Sequence, residues 1–281
     1  MLAFASMRYF GFIALGAMAT LGCAPALSTM RPAHVAPKGH FQAELGMDIS
    51  IPTGTIVDVV EAGDALVSAA DNRDLSDEER KEVFEAGIAL AFNPPSVTQH
   101  IALAYTPLKN WDIALRYSIS AIGLLSRYQI LHSKKHGVDF SAGLGVSRYV
   151  YTFPVSSVLG ILELEDYTRW QFEFPLQFGW SGSWYRAWGG PRIMLTTFGT
   201  SLKLAIPFVD ETELASFSGT GVYLGGQIGA ALGYKYVFFG VELTMVELLS
   251  SGHLNAFGNQ LLDTEINSFL IYPSFGLMGE F

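Results

Sequence analysis

The feature that most constrains this chain is the two-residue alternation over residues 266–281. Phe269, Ile271, Pro273, Phe275, Leu277 and Phe281 share one face, and Ser268, Tyr272, Ser274, Gly276 and Glu280 share the other. Period two belongs to an extended strand with one apolar side. The same pattern runs over 40–51, where Phe41, Ala43, Leu45, Met47, Ile49 and Ile51 alternate with His40, Gln42, Glu44, Gly46, Asp48 and Ser50. It is strongest over 170–180, where Trp170, Phe172, Phe174, Leu176, Phe178 and Trp180 stand opposite Gln171, Glu173, Gln177 and Gly179. A face of large apolar side chains that long needs something to cover it.

Strands are expected near 40–51, 99–106, 111–119, 124–131, 138–147, 170–180, 186–196, 221–233, 237–247 and 266–281. That count is even, as in an up-and-down barrel whose last strand closes on its first. Gly189, Gly190 and Pro191 interrupt the seventh strand and leave its facing open, so the count ranges from eight to twelve with how it is read. The chain is 50% hydrophobic and 15% charged, yet after its first residues no apolar run is long enough for a membrane helix. A formal net charge of -9, with no basic arm or patch standing out in the sequence, argues against nucleic acid as a partner. A lone cysteine excludes an intrachain disulfide.

Residues 1–22 read as a signal peptide, with Arg8 ahead of an apolar run over 9–21. The sequence Thr20-Leu21-Gly22-Cys23 resembles the bacterial lipoprotein box, and the resemblance implies lipidation at Cys23. Residues 23–38, with Pro25, Pro32 and Pro37, read as a periplasmic tether, and 39–281 as the barrel. Phe275, Leu277 and Phe281 resemble the C-terminal signal by which bacterial outer-membrane β-barrels are recognised for assembly. That resemblance implies a Gram-negative-type outer membrane, with its lipids and the barrel-assembly machinery as partners.

The connections set the expected sidedness. Short ones are centred on Leu108, Lys134, Gly182 and Lys235; long ones cover 53–97, 150–166, 197–219 and 249–265, with one brief link at 121–123. Outer-membrane barrels pair short periplasmic turns with long outer loops, so the N-terminus is expected in the periplasm. Tyr105, Trp111, Trp180, Trp184, Tyr234 and Tyr236 flank the short turns as an interfacial girdle would. Residues 53–97 form the largest insertion, rich in acid; Ser76-Asp77-Glu78-Glu79 followed by Val83, Phe84, Ile88 and Leu90 reads as a capped amphipathic helix.

Glu44, Asp48, Asp112, Arg116, Arg127, Asp139, Glu173 and Glu242 fall on the inward faces, and their mixed signs point to a narrow lumen filled by paired charge. Gly221, Gly225, Gly226 and Gly229 read as small lumen-facing residues, not a phosphate loop, because no helix follows. His100, Asp210, His253 and Asp263 are the candidates for an acid–base pair of the kind found in outer-membrane proteases, but no local spacing supports one. The His-x-Ser arrangement of an outer-membrane lipase is not found at a strand end. His132 and His136 flank Lys134 and Lys135, a cationic setting that disfavours a metal. No catalytic residue, metal or cofactor is expected.

The fold expected is thus an all-β, antiparallel, up-and-down transmembrane barrel with a helical insertion in its first long loop. The function expected is presentation of outer loops to an envelope or external partner. The alternatives are a small-solute channel plugged by the 53–97 insertion and, after it, an outer-membrane hydrolase.

Overall fold

Where apolar and polar residues alternate, the chain is extended and each strand pairs with its neighbour in sequence. The computed structural model describes residues 27–57, 93, 95–150, 162–204, 212–256 and 260–281. Its strands are β1 (Phe41–Pro52), β2 (Ser96–Leu108), β3 (Trp111–Ser118), β4 (Ala121–Leu131), β5 (Asp139–Tyr149), β6 (Leu162–Glu173), β7 (Leu176–Ser181), β8 (Tyr185–Leu204), β9 (Thr212–Tyr234), β10 (Val237–Ala256) and β11 (Gln260–Glu280). A single helical turn, Ser133–His136, joins β4 to β5.

β6 and β7 are two halves of one span. Pro175 lacks an N–H and breaks the ladder between them, yet Phe174 N donates to Ile193 O at 3.0 Å and Gly143 N to Pro175 O at 3.0 Å. Both halves pair with β5 on one side and β8 on the other, so the wall is a closed antiparallel barrel of ten strands. Closure is made by β1 against β11 from Gln42–Glu280 to Pro52–Leu270. It ends in a reciprocal pair of hydrogen bonds between Phe41 and Phe281, at 2.8 and 2.9 Å.

Alternation sets the facing throughout. Leu45, Ile101, Leu115, Ile228, Phe239 and Leu277 are each at least half exposed on the outside, while their polar neighbours in sequence turn inward. Such an exterior is stable only against lipid. The seventh span, left open by its glycines and proline, has a definite facing: Arg186, Trp188, Arg192, Met194, Thr196 and Phe198 are buried inside.

The wall is uneven in height. β1 has 12 residues and β3 has 8, whereas β9 has 23 and β11 has 21. About 9–11 residues suffice to cross a bilayer. The ends carrying residues 109–110, 132–138, 182–184 and 235–236 lie together with Phe41 and Phe281, so the excess rises at the opposite, tall end. Much of the connections expected over 150–166, 197–219 and 249–265 is therefore strand: β10 and β11 stay paired up to Ala256–Gln260, and β8 and β9 up to Leu204–Thr212. The brief link is a two-residue turn at Ile119–Ser120.

Residues 27–38 are not a periplasmic tether. Leu27, Ser28, Thr29, Met30, Arg31, Ala33, Val35 and Ala36 are buried inside the barrel, and the chain leaves the short-turn end only at Pro37 and Lys38. The signal peptide, Cys23 and the helix expected near 76–90 lie outside the described residues; the insertion is seen only at its two ends, where residues 53–57 turn helical and Asn93 is buried.

Candidate functional site: the occupied lumen

The inward faces of the strands meet the N-terminal segment from the short-turn end up to the level of Leu270. At the short-turn end, His34 Nε2 lies 2.7 Å from Glu280 Oε1, and Arg186 Nη2 donates to Glu280 Oε2 at 2.8 Å. One step inward, Val35 N donates to Gln129 Oε1 at 2.8 Å, and Arg127 Nη1 to Pro32 O at 2.9 Å. Arg31 and Arg127 share Asp112, each at 2.8 Å from Oδ2. All three are buried, and the shared carboxylate offsets the desolvation of the two guanidiniums, which repel each other.

At mid-height the segment meets Glu242. Thr29 N and Met30 N donate to the two carboxylate oxygens of Glu242 at 2.8 and 3.0 Å, and Trp188 Nε1 donates to the same group at 2.7 Å. Met30 adopts a left-handed φ of 44°. That conformation costs about 1–3 kcal/mol for a non-glycine residue. It turns successive N–H groups to one side, which forms a concavity for an anion. Here the anion is supplied by the barrel wall. Gln177 Nε2 donates to Thr29 Oγ1 at 3.1 Å, and the Ser28 hydroxyl donates to Asp48.

Asp48 also belongs to a second cluster. His100 lies with Nε2 2.6 Å from Glu44 Oε1 and Nδ1 3.4 Å from Asp48 Oδ2, and Arg116 Nη2 stands 3.6 Å from Asp48. Across the lumen Arg192 pairs with Glu173 at 2.7 Å and donates from Nε to Leu27 O at 3.1 Å. Above this level Leu27 closes the lumen in an apolar cluster with Met194, Tyr223, Val246, Leu248, Leu270 and Tyr272. The mouth beyond is tied by Thr55 N to Ser268 Oγ at 3.2 Å and by Tyr223 Oη to Asn93 Oδ1 at 3.1 Å. Two voids beside the segment, near Glu44 and near Arg116, have volumes of about 20 Å³ each, room for a water apiece.

Glu44, Asp48, Asp112, Arg116, Arg127, Asp139, Glu173 and Glu242 all sit on the lumen side, Arg116 half-buried and the others buried. Asp139 serves the short-turn end, accepting from Gln129 Nε2 and Ser133 N. Phe275, Leu277 and Phe281 face outward. Of the glycines, Gly229 has the clearest role: a Cβ there would come within 2.3 Å of the Trp188 indole.

His100 is a lumen residue and not a mouth residue. His253 and Asp263 are cross-strand partners on the tall extension of β10 and β11, and Asp210 lies outside the described residues. His100 is level with Gly46 and Gly276. Thirteen residues of β11 separate Gly276 from Asp263, roughly 40 Å along the strand. The structure therefore does not bring His100 together with His253 and Asp263.

Lumen cations missed by pattern reading include Arg31, Arg169, Arg186 and Arg192; His100 was singled out, but as a residue of the outer mouth. A signal was present: the inward set held Glu44, Asp48, Asp112, Asp139, Glu173 and Glu242 against only Arg116 and Arg127. Buried acids in that excess require further cations.

No protein-family model matches the chain, and no curated protein matches its sequence. Among solved structures it is similar to the outer membrane protein OprG of Pseudomonas aeruginosa, at 11% identity and a TM-score of 0.39, covering 89% of this chain and 99% of that one. It is also similar to the outer membrane protease OmpT of Escherichia coli, at 8% identity and a TM-score of 0.36, covering 86% and 94%. A third is the CymD monoaromatic hydrocarbon channel, at 10% identity and a TM-score of 0.28, covering 87% and 89%. The fold itself follows from the closure of β1 on β11 and from the apolar exterior, and it is that of a bacterial outer-membrane β-barrel.

Proposed function

We propose that this protein is a sealed, non-catalytic barrel of the outer membrane that presents its tall end to an envelope or external partner. The observation that carries the reading is residues 27–38 lying inside the lumen, bonded to the wall from Glu280 to Arg192. In this reading the short turns face the periplasm, since short periplasmic turns and long outer elements are the rule for such barrels. Recognition then belongs to the raised wall of β8–β11, carried on a rigid support, and to the insertion over 53–97.

A channel is the second reading, with the N-terminal segment in place of the insertion as the candidate plug. The segment inside the lumen is N-terminal, whereas the described ends of the 53–97 insertion lie at the tall mouth. Planar-bilayer recordings on two deletions separate the readings. Removing 55–92 should leave the barrel electrically silent, and removing 27–36 should give large, steady conductance. A full-length protein that already conducts steadily would overturn the sealed-barrel reading. Heat-modifiable migration on gels confirms in each case that the barrel has assembled.

A further inference from the structure

The short-turn end opens into a basin of about 760 Å³. Its floor is the exit of the N-terminal segment, including His34, and its rim carries Lys38, Lys109, Lys134 and Lys135. With Lys235 in the neighbouring turn, these are all the lysines of the chain except Lys81 and Lys203, gathered at one end of a protein whose net charge is -9.

The acids of the basin are already committed. Asp139 accepts from Gln129, Ser133 and Ser181 at 2.9, 2.7 and 2.6 Å, and Glu280 is held by Arg186 and His34. No lysine forms an ion pair among the described residues. Two buried ring nitrogens that line the same space, His34 Nδ1 and His132 Nε2, have no hydrogen-bond partner among the described residues. Clustered like charges repel one another, and unpaired buried nitrogens cost the desolvation of each group. A bound polyanion offsets both.

We propose that this basin is a binding site for a phosphate-bearing polyanion, held by Lys109, Lys134 and Lys135 with His34 and His132 beside them. The phosphates come either from a lipid headgroup reaching over the rim or from a soluble ligand; the chemistry is shared. Because His34 and Lys38 belong to the segment that fills the lumen, an anion bound here also ties down its exit. That the basin opens to the periplasm rests on the sidedness proposed above, whereas the binding does not.

The test uses the full chain in zwitterionic nanodiscs, titrated with inorganic pyrophosphate by calorimetry at low salt. One saturable site is expected, weakened at least about tenfold when Lys109→Gln, Lys134→Gln and Lys135→Gln are combined, and weakened by added salt. These lysines are exposed in turns, so the variant barrel should keep its heat-modifiable migration. Absence of saturable binding, or equal binding by the triple variant, overturns the proposal. A second titration in nanodiscs containing phosphatidylglycerol assigns the source: competition by the anionic lipid marks a headgroup site, and unchanged affinity marks a soluble ligand. Steady conductance of the full-length protein would overturn the sealed-barrel reading without touching this result.

Discussion

At the scale of single residues, several lumen carboxylates answer more than one donor. Glu242 is the sharpest case, since it receives Thr29 N, Met30 N and Trp188 Nε1. Replacing it with alanine leaves those donors buried without an acceptor, at about 1–3 kcal/mol each. The N-terminal segment should then leave its seat while the barrel stays folded, and Glu242→Ala should show intermittent conductance in bilayers. Asp112 is different because both its partners are charged, and one of them, Arg127, belongs to the wall. Asp112→Ala should lower the stability of the folded protein by about 3–5 kcal/mol, read from urea unfolding in lipid vesicles. Gly229 tests packing instead of charge. Gly229→Val drives a side chain into the Trp188 indole, and a loss of about 1–3 kcal/mol in the same assay is expected.

At the scale of elements, the direction of the N-terminal segment matters as much as its presence. It climbs from Lys38 at the short-turn end to Leu27 among Tyr223, Tyr272 and Leu248, so its N-terminal side points toward the tall mouth. Four residues further on, Cys23 is at most about 14 Å away along an extended chain. A lipid on Cys23 together with a seated segment therefore belongs at the tall end, which under the sidedness proposed above is not the periplasmic leaflet. An epitope placed between Ala24 and Leu27 should be reached by antibody on intact cells; labelling only after permeabilisation would reverse the sidedness or unseat the segment. The intact mass of the mature chain decides lipidation separately, because a chain starting after Ala26 without acyl groups cannot carry it. Pattern reading missed this element for a physical reason. A segment with Pro32 and Pro37 and no period two looks alike in water or in a lumen, since its backbone bonds go to side chains distant in sequence, such as Gln129 and Glu242.

At the scale of the molecule, strand number and lumen content are coupled. Eight strands enclose a space that side chains alone fill. Ten leave room for more, and here one extended segment of the same chain takes it. The unequal wall follows a similar logic, since strand beyond the bilayer is held by its ladder and owes nothing to lipid. Deleting 251–265, so that the paired residues Ser250 and Ile266 become neighbours, should leave assembly and heat-modifiable migration intact. Failure of that variant to assemble would mean that the tall hairpin is needed for closure.

The sequence by itself pointed to the strands of the membrane belt, their order, the facing of all but the seventh and the inward position of Glu44, Asp48, Asp112, Arg116, Arg127, Asp139, Glu173 and Glu242. It could do so because lipid on one side and a crowded lumen on the other enforce period two. Only the tertiary structure decided what lies outside that regime. The facing of Arg186 and Arg192 was hidden by Gly189, Gly190 and Pro191, and strand extensions such as Ser250-Ser251-Gly252 lost their apolar alternation once they left the membrane. The place of residues 27–38 was decided there too, because it depends on the width of a closed ring and on charges drawn from nearly every strand around it.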